Sequence, residues 1–435
     1  MTEHVLSVLP ALRSTVSSDC DILHDSQDAL FQERLARWTD IDKKVPAAIV
    51  LPRSKDDCLN TVRWALASSI SFVPACGGHS QWSTIGREGI IIDLSRYADV
   101  RIDAERQTAT VVGGVLSKQH RPLGHGNTVG AIPYFLGGGI SITSSITGFG
   151  SDQILSTRLI TASGELGAGQ VFGLVLELTV KAYPLRLLRK QRGLIWAGLF
   201  VFPPERAEEI SLAMKPLLDD GKYDTAGAIM VQAPPPHRTP SLVISTRYIG
   251  EESPQIPFQA LYALNPASAT GEKIPVQNAN DHREALCAKD GFKRFGIAGL
   301  HCFHVAAFLQ TVEVWKKLMD ECPDAISTGF RFQWQSRLIP LPKYESANSL
   351  HDIRYWQNHL LWHTDEKSRD RVEMYNDMCI ALMRVEDGDE YVDFMNGTRS
   401  GPLHRRYSGP TRLAMMRQLK TEWDGRGVFT RQLLD

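Results

Sequence analysis

The segment 47–79 predicts a strand, a helix and a second strand that runs directly into Gly77-Gly78-His79. The first strand is the apolar run AAIVL, which is typical of a buried strand. Ser54 and Asp57 form a predicted N-cap pair for the helix that follows. The second strand is predicted over 70–75. This β-α-β order, which ends in a glycine loop, constrains the fold more than any other feature of the sequence.

The composition is that of an ordinary soluble globular protein. The chain has 435 residues, of which 43% are hydrophobic and 22% charged, and its formal net charge is -1. This length fits two or three domains, and the charge gives no basis for binding nucleic acid or a membrane surface. No run approaches the roughly 18 apolar residues of a membrane span. Glu3 stands where a signal peptide has a basic residue, so we expect a cytoplasmic protein.

The cysteines and histidines do not indicate a metal site. The seven cysteines are scattered and odd in number, and none forms a C-x-x-C pair, so we expect buried or free thiols. The segment 356–363 contains two histidines four residues apart, but it offers no third ligand. We interpret that segment as one face of a helix and predict no bound metal.

From Leu188 onward, strand-like and helical segments alternate, which predicts an α+β domain with an antiparallel sheet. The clearest helices are predicted over 204–218, 305–321 and 369–384. The proline-rich segment 233–240 is predicted to be a hairpin loop.

The glycines occur in two groups that follow predicted strands: Gly77-Gly78 and the segment 124–150. Successive backbone N–H groups in such loops can form a nest for a diphosphate without a cationic side chain. The sequence has neither a Rossmann fingerprint nor a Walker lysine. On glycine content alone, tight turns are the commoner explanation. A single histidine such as His79 is also more often a surface or capping residue than a catalytic one.

Taken in order, the motifs are more specific than any one of them. They are GGHS at 77–80, IIIDLS at 90–95, TATVVGG at 108–114, GNTVGAIPYFLGGGIS at 126–141, GFGSDQIL at 148–155, FGLVLELTVKAYP at 172–184 and YSGPTRLAMMRQLKTEWDGRGVFT at 407–430. This set resembles the oxygen-dependent FAD-linked oxidoreductases with a PCMH-type FAD-binding domain. The likeness is greatest to the berberine-bridge-enzyme-like branch and its fungal members. It is good over 31–184, fair over 387–434 and loose between them.

The resemblance implies an α+β fold in which a two-part PCMH-type FAD-binding domain is joined to an α+β substrate domain with an antiparallel sheet. The implied divisions are a lead-in at 1–41, the FAD-binding domain at 42–187, the substrate-binding domain at 188–386 and a C-terminal berberine-bridge-like segment at 387–435. In the family, this last segment returns to the FAD-binding domain.

The resemblance also implies how FAD is held. In the family, the loop that contains GGHS wraps the diphosphate, and its histidine bonds covalently to the 8α-methyl carbon of the flavin. The residues that match the family's cofactor-binding motifs are Gly77, Gly78, His79, Ser80, Thr128, Val129, Gly130, Gly137, Gly138, Gly139, Asp152, Ile154 and Asp393. Members with two covalent links carry a cysteine where this chain has Gly126. We therefore expect a single link, through His79.

An oxidase of this family needs a group that takes or orients the substrate proton as hydride leaves to flavin N5. The candidates here are Tyr391, in the element that matches the family's Y-x-N-Y motif, and Tyr344. Glu390 and Tyr407 are further candidates, and a structural role is the commoner explanation for each of the four. The alternating segment 330–337 either lines the pocket, with Gln333 and Gln335 on one face and Trp334 on the other, or is a plain sheet strand.

The implied function is oxidation of a small organic molecule, plausibly a secondary-metabolite intermediate, with O₂ as the electron acceptor. Two segments of the FAD-binding domain, between Gly114 and Gly126 and between Glu165 and Gly169, are shorter than in the family. Two alternatives stay open: a non-redox, cyclase-like role on the same fold, and a degenerate relative without flavin. The implied partners are the substrate and O₂, and the sequence does not define an oligomeric state.

Overall fold

The structure is a computed structural model without ligands. It describes residues 2–80, 83–120, 124, 126–164, 166–167, 172–188, 193–250, 252–344, 346, 348–383, 403–407, 409 and 411–429. Tyr391 and Asp393, together with the further candidate Glu390, lie outside the described residues. In the described part of the chain, no helix is long and apolar enough to cross a membrane.

The described residues form strands and helices throughout. The strands are β1 (Asp21–Leu23), β2 (Ala48–Leu51), β3 (Ser71–Ala75), β4 (Gly89–Asp93), β5 (Ala98–Asp103), β6 (Thr108–Gly113), β7 (Ile154–Thr161), β8 (Leu166–Gly167), β9 (Gly173–Lys181), β10 (Leu194–Phe202), β11 (Thr225–Gln232), β12 (Ser241–Tyr248), β13 (Ser268–Pro275), β14 (Phe292–Leu300), β15 (Phe330–Gln335) and β16 (Tyr355–His363). The helices are α1 (Thr2–Arg13), α2 (Ala29–Leu35), α3 (Lys55–Ala67), α4 (Ser117–His120), α5 (Ala131–Leu136), α6 (Ser144–Thr147), α7 (Ala207–Asp220), α8 (Gln259–Ala263), α9 (Val305–Glu321), α10 (Arg369–Met383), α11 (Leu403–Arg406) and α12 (Arg412–Asp424).

The predicted β-α-β unit is β2, α3 and β3. The strands lie in a four-stranded sheet of order β1-β2-β4-β3, in which β2 and β3 each pair in parallel with β4. Both β2 and β4 are buried along their whole length, as expected for a parallel sheet covered on both faces. The predicted N-cap pair is confirmed as a reciprocal capping box, because Asp57 N donates to Ser54 Oγ at 3.0 Å and Ser54 N donates to Asp57 Oδ2 at 3.1 Å.

A second sheet, of order β5-β6-β9-β7-β8, is antiparallel. The predicted hairpin around 100–112 is confirmed as β5 and β6. Helix α5 packs on this sheet, where Ile132 and Phe135 join the cluster that contains Val111 and Leu178. Because α5 lies between Gly130 and Gly137, this packing fixes these two glycines of the second glycine segment against the sheet.

The third sheet has seven strands, in the order β13-β10-β12-β11-β15-β16-β14, and its pairings are antiparallel. This confirms the predicted α+β architecture, and the antiparallel pairing of β11 with β12 confirms the hairpin loop at 233–240. Helices α7, α9 and α10 cover one face and enclose the largest hydrophobic cluster. The opposite face meets the second glycine segment, where Ile142 packs with Ile195 and Phe149 with Trp356.

The prediction of a helix face at 356–363 is wrong, because these residues form β16. Both faces of this strand are largely covered: Trp356 packs toward the glycine segment, whereas His359 bonds Asn376 of α10 through Nδ1 at 3.0 Å. Apolar and aromatic residues therefore occur at consecutive positions, and the alternation that marks a half-buried strand is hidden. The histidine spacing of four residues then imitates a helix.

Candidate functional site

The two glycine loops predicted from the sequence lie in direct contact with each other. A Cβ atom on Gly77 would lie 2.0 Å from the carbonyl oxygen of Thr128, and one on Gly130 would lie 2.7 Å from Cys76 Sγ. Real Cβ atoms essentially never come so close to other atoms. A side chain at either position would therefore push the loops apart, which explains why glycine is needed there.

The segment after Gly114 folds back on the second loop. The carbonyl of Val129 accepts hydrogen bonds from the Ser117 N–H at 2.8 Å and from the Ser117 hydroxyl at 2.9 Å. Ala131 N donates to the carbonyl of Val115 at 2.8 Å. These bonds hold the backbone around Val129 and Gly130 in place.

His79 lies at the contact between the loops. Its Nε2 atom is 2.7 Å from the hydroxyl of Thr128, and its ring stacks on Trp38 with a centroid distance of 5.6 Å. Trp38 in turn stacks on Phe295 of the seven-stranded sheet, at 4.9 Å and 8° between the planes. Burial, and then the positive charges of Lys289 and Lys293, lower the pKa of His79 to about 4. The imidazole is therefore neutral at neutral pH.

A segment from the second half of the chain, residues 280–293, packs over the second loop and Trp38. The indole N–H of Trp38 donates to the carbonyl of Leu286 at 2.8 Å. The side-chain amide of Asn127 donates to the carboxylates of Asp281 and Glu284, each at 3.0 Å. This segment supplies the two lysines near His79, one of which, Lys293, is fully buried.

The predicted Gly137-Gly138-Gly139 run closes against the residues that follow α6. The N–H groups of Gly150 and Ser151 donate to the carbonyls of Gly139 at 2.7 Å and Gly138 at 2.9 Å. Gly138 has a φ of 96°, a left-handed conformation that favours glycine. All three glycines are buried, and a Cβ atom on Gly139 would lie 2.8 Å from the ring of Tyr134.

Asp152 is a buried hub beside this run. Its Oδ2 atom accepts from the Phe149 N–H at 3.0 Å and lies 2.9 Å from His351 Nε2, and its Oδ1 atom accepts from the Ser346 hydroxyl at 3.2 Å. The backbone carbonyl of Asp152 accepts from the Tyr344 hydroxyl at 2.8 Å. The structure therefore brings together two predicted site residues, Asp152 and Tyr344.

Other predicted residues lie elsewhere. Ile154 begins β7 and packs in the hydrophobic cluster under α5. Tyr407 is buried and packs with Phe172. Ser80 follows His79 in the loop and is half-buried. The roles of all these residues toward a cofactor stay predictions.

The sheet face opposite the helices carries polar side chains. Gln335 is buried, its side-chain N–H donates to the carbonyl of Ser141 at 3.1 Å, and its Oε1 atom has no partner among the described residues. The amide of Asn358 donates to Gln333 Oε1 at 3.2 Å. The predicted separation of Gln333 and Gln335 from Trp334 is confirmed, because Trp334 is buried in the cluster under the helices.

Sequence reasoning missed Arg37, Trp38, Lys289 and His351. Arg37 and Trp38 belong to the lead-in, more than 35 residues before the Gly77-Gly78-His79 loop that they contact. His351 is a single histidine in a loop, and Lys289 lies in the part of the chain with the loosest motifs. None of them stands in a recognisable local pattern.

The comparisons with known proteins agree with this geometry. The family model described as "FAD binding domain" matches residues 46–167. A relative named "FAD-linked oxidoreductase hasG", from Aspergillus fumigatus, is 27% identical over 467 residues, which cover 94% of this chain and 96% of the relative. Physcomitrella patens BBE-like 1 has a TM-score of 0.79 at 16% identity, covering 98% of this chain and 99% of that one. Berberine bridge enzyme from Eschscholzia californica has a TM-score of 0.77 at 16% identity, covering 97% of both chains.

These matches confirm the resemblance stated from the motifs. The chain therefore matches the FAD-binding domain over residues 46–167 and is similar to a fungal FAD-linked oxidoreductase over nearly its whole length, and its fold is that of berberine bridge enzyme.

Proposed function

We propose that this FAD-linked oxidoreductase oxidises a small organic molecule, a secondary-metabolite intermediate, and passes the electrons to O₂. The observation that carries the proposal is the arrangement at His79, a neutral imidazole held between Trp38 and Thr128 where the two glycine loops meet. When bound, FAD accepts two electrons from the substrate and returns them to O₂, which yields H₂O₂. The similarity to a fungal FAD-linked oxidoreductase over nearly the whole chain supports this chemistry.

We assign His79 as the single covalent attachment residue. Because Nε2 is engaged by the Thr128 hydroxyl, Nδ1 is the nitrogen that we assign to the 8α carbon of the flavin. The low pKa keeps a lone pair available on the ring at neutral pH, as a nucleophile requires. Gly126 offers no thiol for a second link, and this supports monocovalent attachment.

The remaining backbone fits a large cofactor at this place. We assign Gly77, Gly78 and Ser80 to the diphosphate, and Thr128 to Gly130 with the Gly137–Gly139 run to the ribityl chain and ring. Support comes from the contact between these loops and from the left-handed conformations of Gly78 and Gly138, which let the backbone approach a ligand without a Cβ.

We assign proton removal from the substrate to Tyr391. Tyr344 suits this step less well, because its hydroxyl already donates to the Asp152 carbonyl and burial raises its pKa. The polar sheet face around Gln333, Gln335 and Asn358 is the surface that we assign to the substrate.

Acid precipitation of the purified full chain tests the attachment. We expect the yellow flavin absorbance to stay with the protein pellet in the wild type and to move to the supernatant in His79→Ala. The matched control is His301→Ala, which removes an exposed histidine and leaves the absorbance in the pellet. Flavin in the wild-type supernatant would contradict the covalent link, and a colourless native protein would support a degenerate, flavin-free relative.

Peroxide release tests the oxidase activity separately. Holoenzyme is incubated with a panel of small alcohols and phenols, and H₂O₂ is measured together with O₂ uptake. We expect at least one compound to give equal amounts of O₂ consumed and H₂O₂ formed, and Tyr391→Phe to abolish this turnover without releasing flavin. Conversion of a compound without O₂ uptake would instead support a cyclase-like role.

A further inference from the structure

Arg37 carries a buried N–H group that has no partner among the described residues, directly behind the GGHS loop, and we propose that this guanidinium binds the diphosphate of FAD. The inference rests on the binding of FAD by this family. It does not depend on the oxidase activity or on the covalent link proposed above. It adds a cationic side chain to a site that the glycines alone would describe as a backbone nest.

The guanidinium of Arg37 is held in one orientation by backbone carbonyls. Nη1 donates to the carbonyls of Arg34 at 2.7 Å, Leu35 at 3.2 Å and Ala36 at 3.3 Å, and Nε donates to the carbonyl of Ser83 at 3.0 Å. The side chain is 5% exposed. Nη2 has no partner among the residues that the structure describes. A buried charged donor left without an acceptor is costly, so this atom requires an acceptor that the described part of the chain does not supply.

The position of Arg37 identifies the acceptor. A Cβ atom on Gly78 would lie 3.5 Å from Arg37 Cδ and 3.4 Å from the carbonyl of Ala36, so the arginine side chain lies against the loop. The backbone next to Arg37 is also hydrogen-bonded to the loop, because Trp38 N donates to the carbonyl of Gly78 at 2.9 Å. Gly78 has a φ of 74°, and the loop turns sharply beside the guanidinium. A ligand bound by this loop therefore comes within reach of Nη2.

The charges around the loop favour an anion. Arg34, Arg37 and Lys289 are close enough to influence one another, and the pKa values of Arg37 and Lys289 are both lowered, chiefly by burial. Asp93 acts on both Arg37 and Lys289, and Glu33, which pairs with Arg34 at 3.2 Å, also acts on Lys289. A diphosphate supplies the missing negative charge, and arginine is well suited to phosphate because its planar N–H groups can bond two oxygens.

Arg37 also caps the C-terminus of α2, and a purely structural role must be separated from phosphate binding. Helix capping accounts for Nη1, and the Ser83 carbonyl accounts for Nε, but neither accounts for Nη2. Loss of a cap lowers the stability of the protein whether or not flavin is present. Loss of a phosphate contact weakens the binding of FAD and leaves the binding of riboflavin, which has no phosphate, unaffected.

The experiment uses the full chain with His79→Ala, so that binding is reversible, and measures the dissociation constants of FAD and of riboflavin by flavin fluorescence. We expect Arg37→Met to raise the dissociation constant of FAD about tenfold to a hundredfold, because a charge-assisted hydrogen bond is lost. The dissociation constant of riboflavin should change by less than about twofold. The matched control is Arg96→Met, because Arg96 follows β4 of the four-stranded sheet and its guanidinium is already paired with Asp21. This control should leave the preference for FAD over riboflavin unchanged.

Equal effects on FAD and riboflavin, or no effect on either, would show that Arg37 is only a helix cap. If Arg37→Met does not fold, Arg37→Lys takes its place, since it keeps the charge but loses the planar pair of donors. A preference of Arg37→Lys for FAD over riboflavin equal to that of the parent His79→Ala protein would overturn the proposal. Failure of His79 attachment or of peroxide release would leave these constants measurable, so the two proposals fail independently.

Discussion

The Nε2 atom of His351 lies 2.9 Å from the Oδ2 atom of Asp152, and both side chains are buried. The pair joins the loop between β15 and β16 to the turn that directly follows the second glycine segment. Two further bonds run across the same contact, from the Tyr344 hydroxyl to the Asp152 carbonyl at 2.8 Å and from the Asn348 amide to Ser151 Oγ at 3.4 Å. Asp152 is thus the residue through which the sheet assigned to the substrate holds the loop assigned to the flavin.

Replacement of Asp152 by alanine should therefore destabilise the protein. The change leaves the Phe149 N–H, the Ser346 hydroxyl and the His351 ring without their acceptor in a buried place. Removing one partner from such a buried network costs about 3–5 kcal/mol. We expect a lower thermal midpoint in scanning calorimetry and faster loss of flavin on warming.

The conservative variant Asp152→Asn keeps one acceptor oxygen and should lose less than half as much stability. Asp370→Asn is the matched control, because Asp370 is exposed in the first turn of α10. An Asp152→Ala protein as stable as this control would show that the network contributes nothing.

The contact between the glycine loops leads to a second prediction. In Gly77→Ala, the new methyl group would lie 2.0 Å from the backbone carbonyl of Thr128, and neither loop can yield without moving. We expect flavin content to fall at least tenfold, since a displaced Thr128 no longer holds His79, and we expect some loss of stability from overpacking, of about 1–3 kcal/mol. Flavin content is read from the ratio of absorbance at 450 and 280 nm.

Gly329→Ala serves as its control. A Cβ atom at Gly329 meets nothing closer than 3.4 Å, which is ordinary van der Waals contact. This variant should keep the flavin content of the wild type. Full flavin content in Gly77→Ala would mean that the second loop does not depend on the first.

Local patterns predicted much of the fold correctly. The helix predicted over 305–321 has the bounds of α9, and the Ser54–Asp57 cap begins α3, because both signals lie within a few residues of the structure they determine. The segment 356–363 was assigned to the wrong structure, since a strand covered on both faces lacks the alternation that identifies strands. Hydrophobic periodicity therefore predicts the type of an element where one of its faces is exposed to solvent.

The site was predictable only in part, for a related reason. The glycine loops and His79 are contiguous motifs, whereas their partners Trp38, Arg37 and Lys289 come from distant parts of the chain. Their positions follow from how the three sheets pack, and the spacing of residues within one short segment does not predict that packing. The Asp152–His351 pair is the same case, since 199 residues separate its members.

His359 gives a prediction about acid stability. This ring is buried in the core of the seven-stranded sheet, and burial lowers its pKa to about 4 from an ordinary value near 6.5. Below pH 6.5 the unfolded chain binds a proton that the folded chain does not, so stability falls as the pH drops from about 6.5 to 4. The loss reaches about 3 kcal/mol from this residue alone.

Chemical denaturation at pH 7.5 and pH 4.5 measures this loss. His359→Gln keeps a hydrogen-bonding group for Asn376 but does not titrate, and it should lose clearly less stability than the wild type between these two pH values. His301→Gln, at an exposed position, should behave like the wild type. The same loss in all three proteins would place the acid sensitivity in other groups.

The low pKa of His79 predicts that flavin attachment is insensitive to mild acid. An ordinary histidine with a pKa near 6.5 is mostly protonated at pH 5.5, and its attachment rate would fall about tenfold between pH 7.5 and 5.5. Because the pKa of His79 is about 4, the ring stays neutral over this range, and we expect rates that agree within about twofold. Apoprotein is mixed with FAD at saturating concentration, and covalent flavin is measured after acid precipitation at successive times. Saturation removes any effect of pH on FAD affinity from the comparison, so a rate that rises with an apparent pKa near 6.5 would show that His79 is not held in the neutral state by its surroundings.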